Sequence, residues 1–554
     1  MNIFEKASTH IKPKTVIKIE PRKSYGFTEY HVRAEEMREH LNNVSPSMCL
    51  AKWLQVSINL ANGTTQSCYH PPIHAVPLLE LKDNPSALHN TKFKKRERAQ
   101  MLNGERPSGC SYCWKVEDAK DSPDSQGHLS DRHYKSSESW AEPFLEEVVT
   151  KDVDFNIIPR YVEVNFNQAC NFKCMYCSPH ISSAWEEEIK EHGPYIVEDK
   201  IHNDIKSLKV AGYMPLELSK KENPYVTAFW KWWPEIYRNL RVFRMTGGEP
   251  LMDKNTFQVL DYVNENPHGQ LELSITSNMC PPDPKLFDRF ISSIQSLEEI
   301  RTYEDPANFN EFTGNHWYVD KGFKHFWLYV SVDGVGKQAE YMRTGLDYNL
   351  MMDNVRRFLR ETRYTTVSFI NTFNLLSIPS LKEYLQMILA LRKEFGAARQ
   401  TEFEIAPEPT EHEKLHGIEH AKYKQKKFQR IFLDIPLLKY PNWFDVQNAG
   451  TWGINIVREC VEFMEENRQD VLYFSTFEGF KPHEILKLKR NLAIMEDLLD
   501  IQVEQDNQRK FYHFINEYDK RRETDFKTVF PEMINYYNQC KDLVQHKENN
   551  AKET

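Results

Sequence analysis

Three cysteines fall within eight residues, in the stretch Ala169-Cys170-Asn171-Phe172-Lys173-Cys174-Met175-Tyr176-Cys177, directly after the strand-like run Tyr161–Phe166. Thiols this close in one short loop can wrap a single inorganic centre. Iron-sulfur clusters normally take four thiolates, so three from one loop leave either a distant fourth ligand or one iron open to a substrate or cosubstrate. The same spacing is also compatible with a zinc site or with structural thiols, and the sequence around it has to arbitrate.

From residue 160 onward, β-rich runs alternate with long amphipathic stretches. The candidate strands are Tyr161–Phe166, Leu240–Met245, Gln270–Thr276, Phe326–Val332, Thr365–Thr372 and Glu402–Ile405, separated by segments long enough for crossover helices. Six such units predict an α/β fold, a parallel sheet curled into a partial (β/α)6 TIM-like barrel, with its active site at the carboxyl ends of the strands. Loop composition over Glu117–Ser139 puts a boundary near residues 140–155. The expected domains are a cysteine-rich β-hairpin domain with linker over 1–150, the barrel over 151–410, and a helical C-terminal region over 411–554, which would cover the barrel mouth. Helices are expected within Ile485–Leu499 and Gln508–Lys520, with a fraying polar tail from Lys547.

The loop Cys-x3-Cys-x2-Cys after the first strand resembles the signature of the radical S-adenosylmethionine (SAM) superfamily, and Tyr176 matches the aromatic residue that often precedes its last cysteine. The resemblance implies that Cys170, Cys174 and Cys177 hold a [4Fe-4S] cluster whose open iron is chelated by SAM. One electron then cleaves SAM to methionine and a 5'-deoxyadenosyl radical, which abstracts hydrogen from a substrate. Met245-Thr246-Gly247-Gly248-Glu249-Pro250 follows the second candidate strand and resembles the family's Gly-Gly-Glu-Pro motif. By that resemblance Gly247, Gly248, Glu249 and Pro250 bind the SAM amino group, with glycines for close backbone approach and a carboxylate suited to an ammonium. Ser331 ends the fourth candidate strand and Arg343 follows it; in related enzymes such residues grip the SAM carboxylate, which suits a guanidinium fork. Thr276-Ser277-Asn278-Met279 stands where the family often has Thr-Asn-Gly and is given no ligand role.

A second cysteine set precedes the barrel. Cys49 and Cys68 flank the strand-like Trp53–Leu60 and the turn Asn62-Gly63, and Cys110 and Cys113 follow the turn at Asn103-Gly104. Four thiols make a closed tetrathiolate site, open on spacing alone to zinc or to iron-sulfur. The segment resembles the truncated SPASM, or Twitch, domain, which implies an auxiliary [4Fe-4S] cluster; in related enzymes that domain follows the barrel, whereas here it precedes it.

With 71 basic and 80 acidic residues the net charge is -9, which disfavours sequence-independent binding to nucleic acid or anionic lipid. The run Lys92–Arg98 reads as a solvated helix face. No apolar stretch approaches the ~18 residues needed to span a bilayer, and Met1–Lys6 does not open like a secretory signal, so a soluble cytoplasmic protein is expected. The reading is an oxidoreductase or maturase acting on a peptide or protein side chain and fed by a small electron donor such as flavodoxin or ferredoxin. Its alternatives are a radical SAM enzyme for a small carbohydrate or nucleotide, and a non-enzymatic zinc-binding interaction protein. Trp230, Trp232 and Trp233 are expected to pack, His180 to hydrogen-bond at a helix start, and Cys280 to be a buried structural thiol.

Overall fold

The computed structural model describes residues 27–119, 128–217, 222–299, 301–304, 317–320, 322–401, 425–469, 478–497 and 499–553. Contacts divide the chain into two compact units, Met1–Val164 with Leu216–Phe243, and Asn165–Pro215 with Arg244–Thr554.

The first unit is richer in helix than the expected hairpin domain. Its strands β1 (Gln55–Asn59), β2 (Thr64–Gln66), β3 (His74–Ala75) and β4 (Tyr161–Asn165, ending in the second unit) lie in the order β3-β2-β1-β4. The hairpin β1–β2 is antiparallel, with Ser57 opposite Gln66. Its turn needs Gly63: φ is +73°, and a Cβ there would sit 2.0 Å from the Tyr225 ring. Trp53 and Leu54, expected to be extended, instead close the short helix Ala51–Leu54. The charge run Lys92–Arg98 opens the helix Lys92–Leu102, capped by the Thr91 hydroxyl, but it is not a solvated face. Lys94, Glu97, Arg98 and Met101 recur at three- and four-residue intervals on one side, and that side is buried. Met48, Trp53, Met101 and Trp114 form a core in which Cys110 and Cys113 are embedded. Trp232 and Trp233 are buried, and Trp233 packs on Phe229 and Phe243.

The second unit carries a parallel sheet. Strands β5 (Val242–Thr246, entering from the first unit), β6 (His268–Ser277), β7 (Phe323–Ser331), β8 (Thr365–Ile370) and β9 (Ile431–Asp434) lie in that order. β7 runs parallel to β6 and β8, and β8 parallel to β9. Parallel neighbours require crossovers, and helices Lys254–Glu265, Pro284–Glu298, Tyr348–Glu361 and Leu381–Phe395 fill the four gaps. β8 is buried along all but its last residue, as a strand covered on both faces should be. This is an α/β arrangement built on a parallel sheet. The expected strand Glu402–Ile405 lies outside the described residues, and β9 was not anticipated. Towards the C-terminus the long helices are Gly450–Glu466, Pro482–Glu496, Ile501–Arg522 and Ile534–Glu553. The tail expected to fray is helical through Glu553, and Lys547 pairs with Glu198 at 2.5 Å. No described helix is long and apolar enough to cross a membrane.

Candidate functional site

In the second unit the cysteine loop leaves the end of β4 and is fixed from several sides. Asn167 Oδ1 accepts from the Ala169 amide at 2.7 Å, and Ser183 and the Cys170 backbone exchange hydrogen bonds at 3.1 and 3.2 Å. A two-residue antiparallel ladder sets Cys174 opposite Arg343, and the Met175 amide donates to Met342 O at 2.9 Å. The Phe172 amide lies 3.5 Å from Cys170 Sγ. Burial pushes Cys170 up to about 12 and raises Cys174 and Cys177 as well, so any metal held by these thiols would have to displace their protons.

The Gly-Gly-Glu-Pro segment lies directly on this loop. The Glu249 amide donates to Ala169 O at 2.7 Å and the Gly248 amide to Asn167 O at 3.4 Å. A Cβ at Gly248 would sit 2.2 Å from Ala169 O, and one at Gly247, where φ is +118°, would sit 2.0 Å from Asn165 Oδ1. Both glycines are required by this approach.

The carboxylate of Glu249 is not left open for an ammonium. It is buried and accepts from the Leu251 amide at 3.0 Å, the Ser277 hydroxyl at 2.8 Å and the Asn278 amide at 2.7 Å. Burial raises it to about 7 in spite of those donors. Glu249 therefore ties the glycine turn to the end of β6, and Pro250 opens a buried 3-10 turn behind it. Met279, in place of the glycine found in the resembling family, has a φ of +60° and buries its side chain completely.

Arg343 is buried, with Nε 2.8 Å and Nη2 3.2 Å from the two carboxylate oxygens of Asp333. Nη2 also meets the Tyr176 hydroxyl, which itself donates to Asp333 at 2.7 Å, and Nη1 lies 3.4 Å from Cys174 Sγ. Burial opposes the charge on Arg343, but Asp333, Tyr176 and Cys174 outweigh it and hold the guanidinium well above its usual range. Ser331 is half-buried at the end of β7, and among the described residues no partner holds its hydroxyl. His180 bonds Ser178 at 3.0 Å, and Cys280 is buried with its thiol 3.4 Å from Asp347 O.

Sequence reasoning missed the brace behind the loop. Arg522, at the end of helix Ile501–Arg522, donates to Lys173 O at 2.8 Å and Thr344 Oγ1 at 3.0 Å, pairs with Glu188 at 3.1 Å, and lies over the Trp185 and Tyr518 rings. Trp185 Nε1 donates to Cys174 O at 2.7 Å. No local pattern announces such a contact, because its partners are distant in sequence.

In the first unit, Cys49, Cys68, Cys110 and Cys113 line one cavity. Cys49 precedes helix Ala51–Leu54, Cys68 follows β2, Cys110 ends a 3-10 turn, and Cys113 lies in the helix Ser111–Glu117 that continues it. Arg132 pairs with Glu117 at 3.0 Å and donates to Met48 O at 2.8 Å, pinning the chain beside Cys49. Lys52 Nζ lies 3.6 Å from Cys110 Sγ and 2.5 Å from Glu97. Burial pushes Cys110 and Cys113 up to about 12 and raises Cys49. Among the described residues no three His, Cys, Asp or Glu side chains are gathered closely enough to hold a single metal ion.

No family model and no solved structure matches the chain. Over 160 residues it is 24% identical to the GTP 3',8-cyclases of Trichormus variabilis and of a Nostoc species. That stretch is 28% of this chain and 38% of each cyclase, so the similarity is to a part of those proteins.

Proposed function

We propose that this chain is a radical SAM enzyme in which Cys170, Cys174 and Cys177 hold a [4Fe-4S] cluster with one iron left for SAM. The observation that carries the reading is the joining of the motifs in one place. The glycine turn is bonded to the cysteine loop through Glu249 and Ala169, and Arg343 faces Cys174 across a ladder. The distant similarity to GTP 3',8-cyclase, itself a radical SAM enzyme, supports the same chemistry. The donor set fits: three soft thiols on one half-buried loop, with glycines where any Cβ would collide. When bound, cluster and SAM supply one-electron cleavage of the sulfonium and hydrogen abstraction from a substrate. The chain's own residues position them. Gly247 and Gly248 admit the backbone to the loop, Glu249 fixes that turn, Asp333 and Tyr176 hold Arg343 against Cys174, and Ser331 offers an uncommitted hydroxyl.

The four thiols of the first unit support an auxiliary [4Fe-4S] cluster like that of a Twitch domain, with a small flavodoxin or ferredoxin as electron source. The substrate that follows from the two-cluster resemblance is a peptide or protein side chain. The name of the related cyclases favours a second reading, a purine nucleotide. Reduced, reconstituted protein should release 5'-deoxyadenosine from SAM, and release unchanged after Cys170, Cys174 and Cys177 are all replaced by Ala would overturn the proposal. Stimulation of that release by GTP would move the substrate to the second reading.

A further inference from the structure

Around the four-cysteine cavity, buried charge does not balance among side chains. Lys52 is paired with Glu97, Arg132 with Glu117, and Lys135 at the rim with Asp131. Two cations remain. Lys94 is 0% exposed, and its ammonium donates to the Thr65 hydroxyl at 2.9 Å. Arg98 is 1% exposed and is held by Asn90 Oδ1 at 2.8 Å, Lys52 O at 3.2 Å and the His89 ring. Among the described residues neither makes an ion pair with a carboxylate. An unpaired buried cation costs several kcal/mol, and two neighbouring ones repel each other as well. Neutral thiols, reduced or joined as disulfides, do nothing to relieve this. Four thiolates around a divalent core do, because they leave a dianion, which favours the charged form of both groups.

We propose that Lys94 and Arg98 are the built-in counter-charge of a dianionic tetrathiolate centre on Cys49, Cys68, Cys110 and Cys113, and that they hold its reduction potential up. This rests on the auxiliary-cluster reading, which it deepens by naming the charge the site accepts. Lys94 is a positioning residue here: it reaches the centre through the field in a dry core, where charges act strongly. Reduction adds a negative charge, so a nearby fixed cation favours the reduced state and its removal must lower the potential.

The test uses the full-length chain with Cys170, Cys174 and Cys177 replaced by Ala, so that a single centre is observed, and adds Lys94→Met or Lys94→Arg. Redox titration followed by electron paramagnetic resonance should show Lys94→Met shifted down by at least a tenfold change in the reduction equilibrium, about 59 mV for one electron. Lys94→Arg should return the potential to that of the parent. An unchanged potential in Lys94→Met overturns the proposal. Loss of the centre from both variants also overturns it, because shape would then matter and charge would not; loss from Lys94→Met alone supports it. If the site carries zinc and no iron, the cluster reading fails, and charge is read from chelator competition. Faster zinc loss from Lys94→Met than from Lys94→Arg supports the counter-charge, and equal rates overturn it.

Discussion

The two cysteine sites are built in opposite ways. The site of the second unit takes all three thiols from one loop and then borrows its rigidity from afar, from the glycine turn, from Asp333 and Arg343, and from Arg522. The site of the first unit takes its four thiols from three segments, with Cys110 and Cys113 in a hydrophobic core and Cys49 packed against it, which supplies the rigidity directly. On the proposed reading, one arrangement leaves a loop open to a cosubstrate and the other closes ligands around a centre. They share one device: a buried cation, itself paired with a carboxylate, faces one sulfur in each. Lys52 with Glu97 faces Cys110, and Arg343 with Asp333 faces Cys174.

The comparison breaks most visibly by deleting one site. Replacing Cys170, Cys174 and Cys177 by Ala should abolish SAM cleavage and reduce iron from about eight per chain to about four. An iron assay giving none in that variant would leave the first unit without a cluster. Removing the carboxylate from either shared device should strand a buried cation, so Asp333→Ala and Glu97→Ala should each lose about 3 to 5 kcal/mol of stability by denaturant unfolding. A much smaller loss at Glu97 would mean that the two devices are alike in geometry alone.

Glu249 gives a smaller, pH-dependent effect opposite in sign to that of the first unit, where burial lowers His74 and His133 to about 3 and stability is lost as pH falls. Its folded pKa of about 7 lies above the ordinary 4.5, so the folded state holds the extra proton between those values. Stability from this group is therefore present at low pH and lost as pH rises through about 7, by about 3 kcal/mol in total. Unfolding at pH 5 and pH 8 should show wild type losing stability relative to Glu249→Gln as pH rises, since the buried histidines contribute equally to both. The smallest change is Tyr176→Phe, which removes one hydroxyl from the Asp333–Arg343 network and should cost about 1 to 2 kcal/mol with the cluster retained, as checked by unfolding and iron content.

Much of this was legible because it is local. The strands placed at Gln270–Thr276, Phe326–Val332 and Thr365–Thr372 are observed within a few residues, and Cys170–Cys177 and Gly247–Glu249 each declare themselves in a short string. The errors share a cause: burial by distant partners. Lys92–Arg98 looked solvated because its charges are dense, yet the neutral contacts of Lys94 and Arg98 come from Thr65 and Asn90. Arg343 looked available because Asp333, which occupies it, carries no signal of pairing in its own neighbourhood. The cysteines were visible as candidate ligands, while the networks that hold them depend on the tertiary fold.

The contact from Arg522 to Lys173 also fixes an order in time. These residues are 349 positions apart, so at common translation speeds the cysteine loop leaves the ribosome roughly 20 to 70 s before its brace exists. Through that interval the three thiols are present without the helix that steadies them, and a cluster delivered then would meet an unfinished cradle. On the proposed cluster reading, delivery after chain release is the schedule this wiring favours.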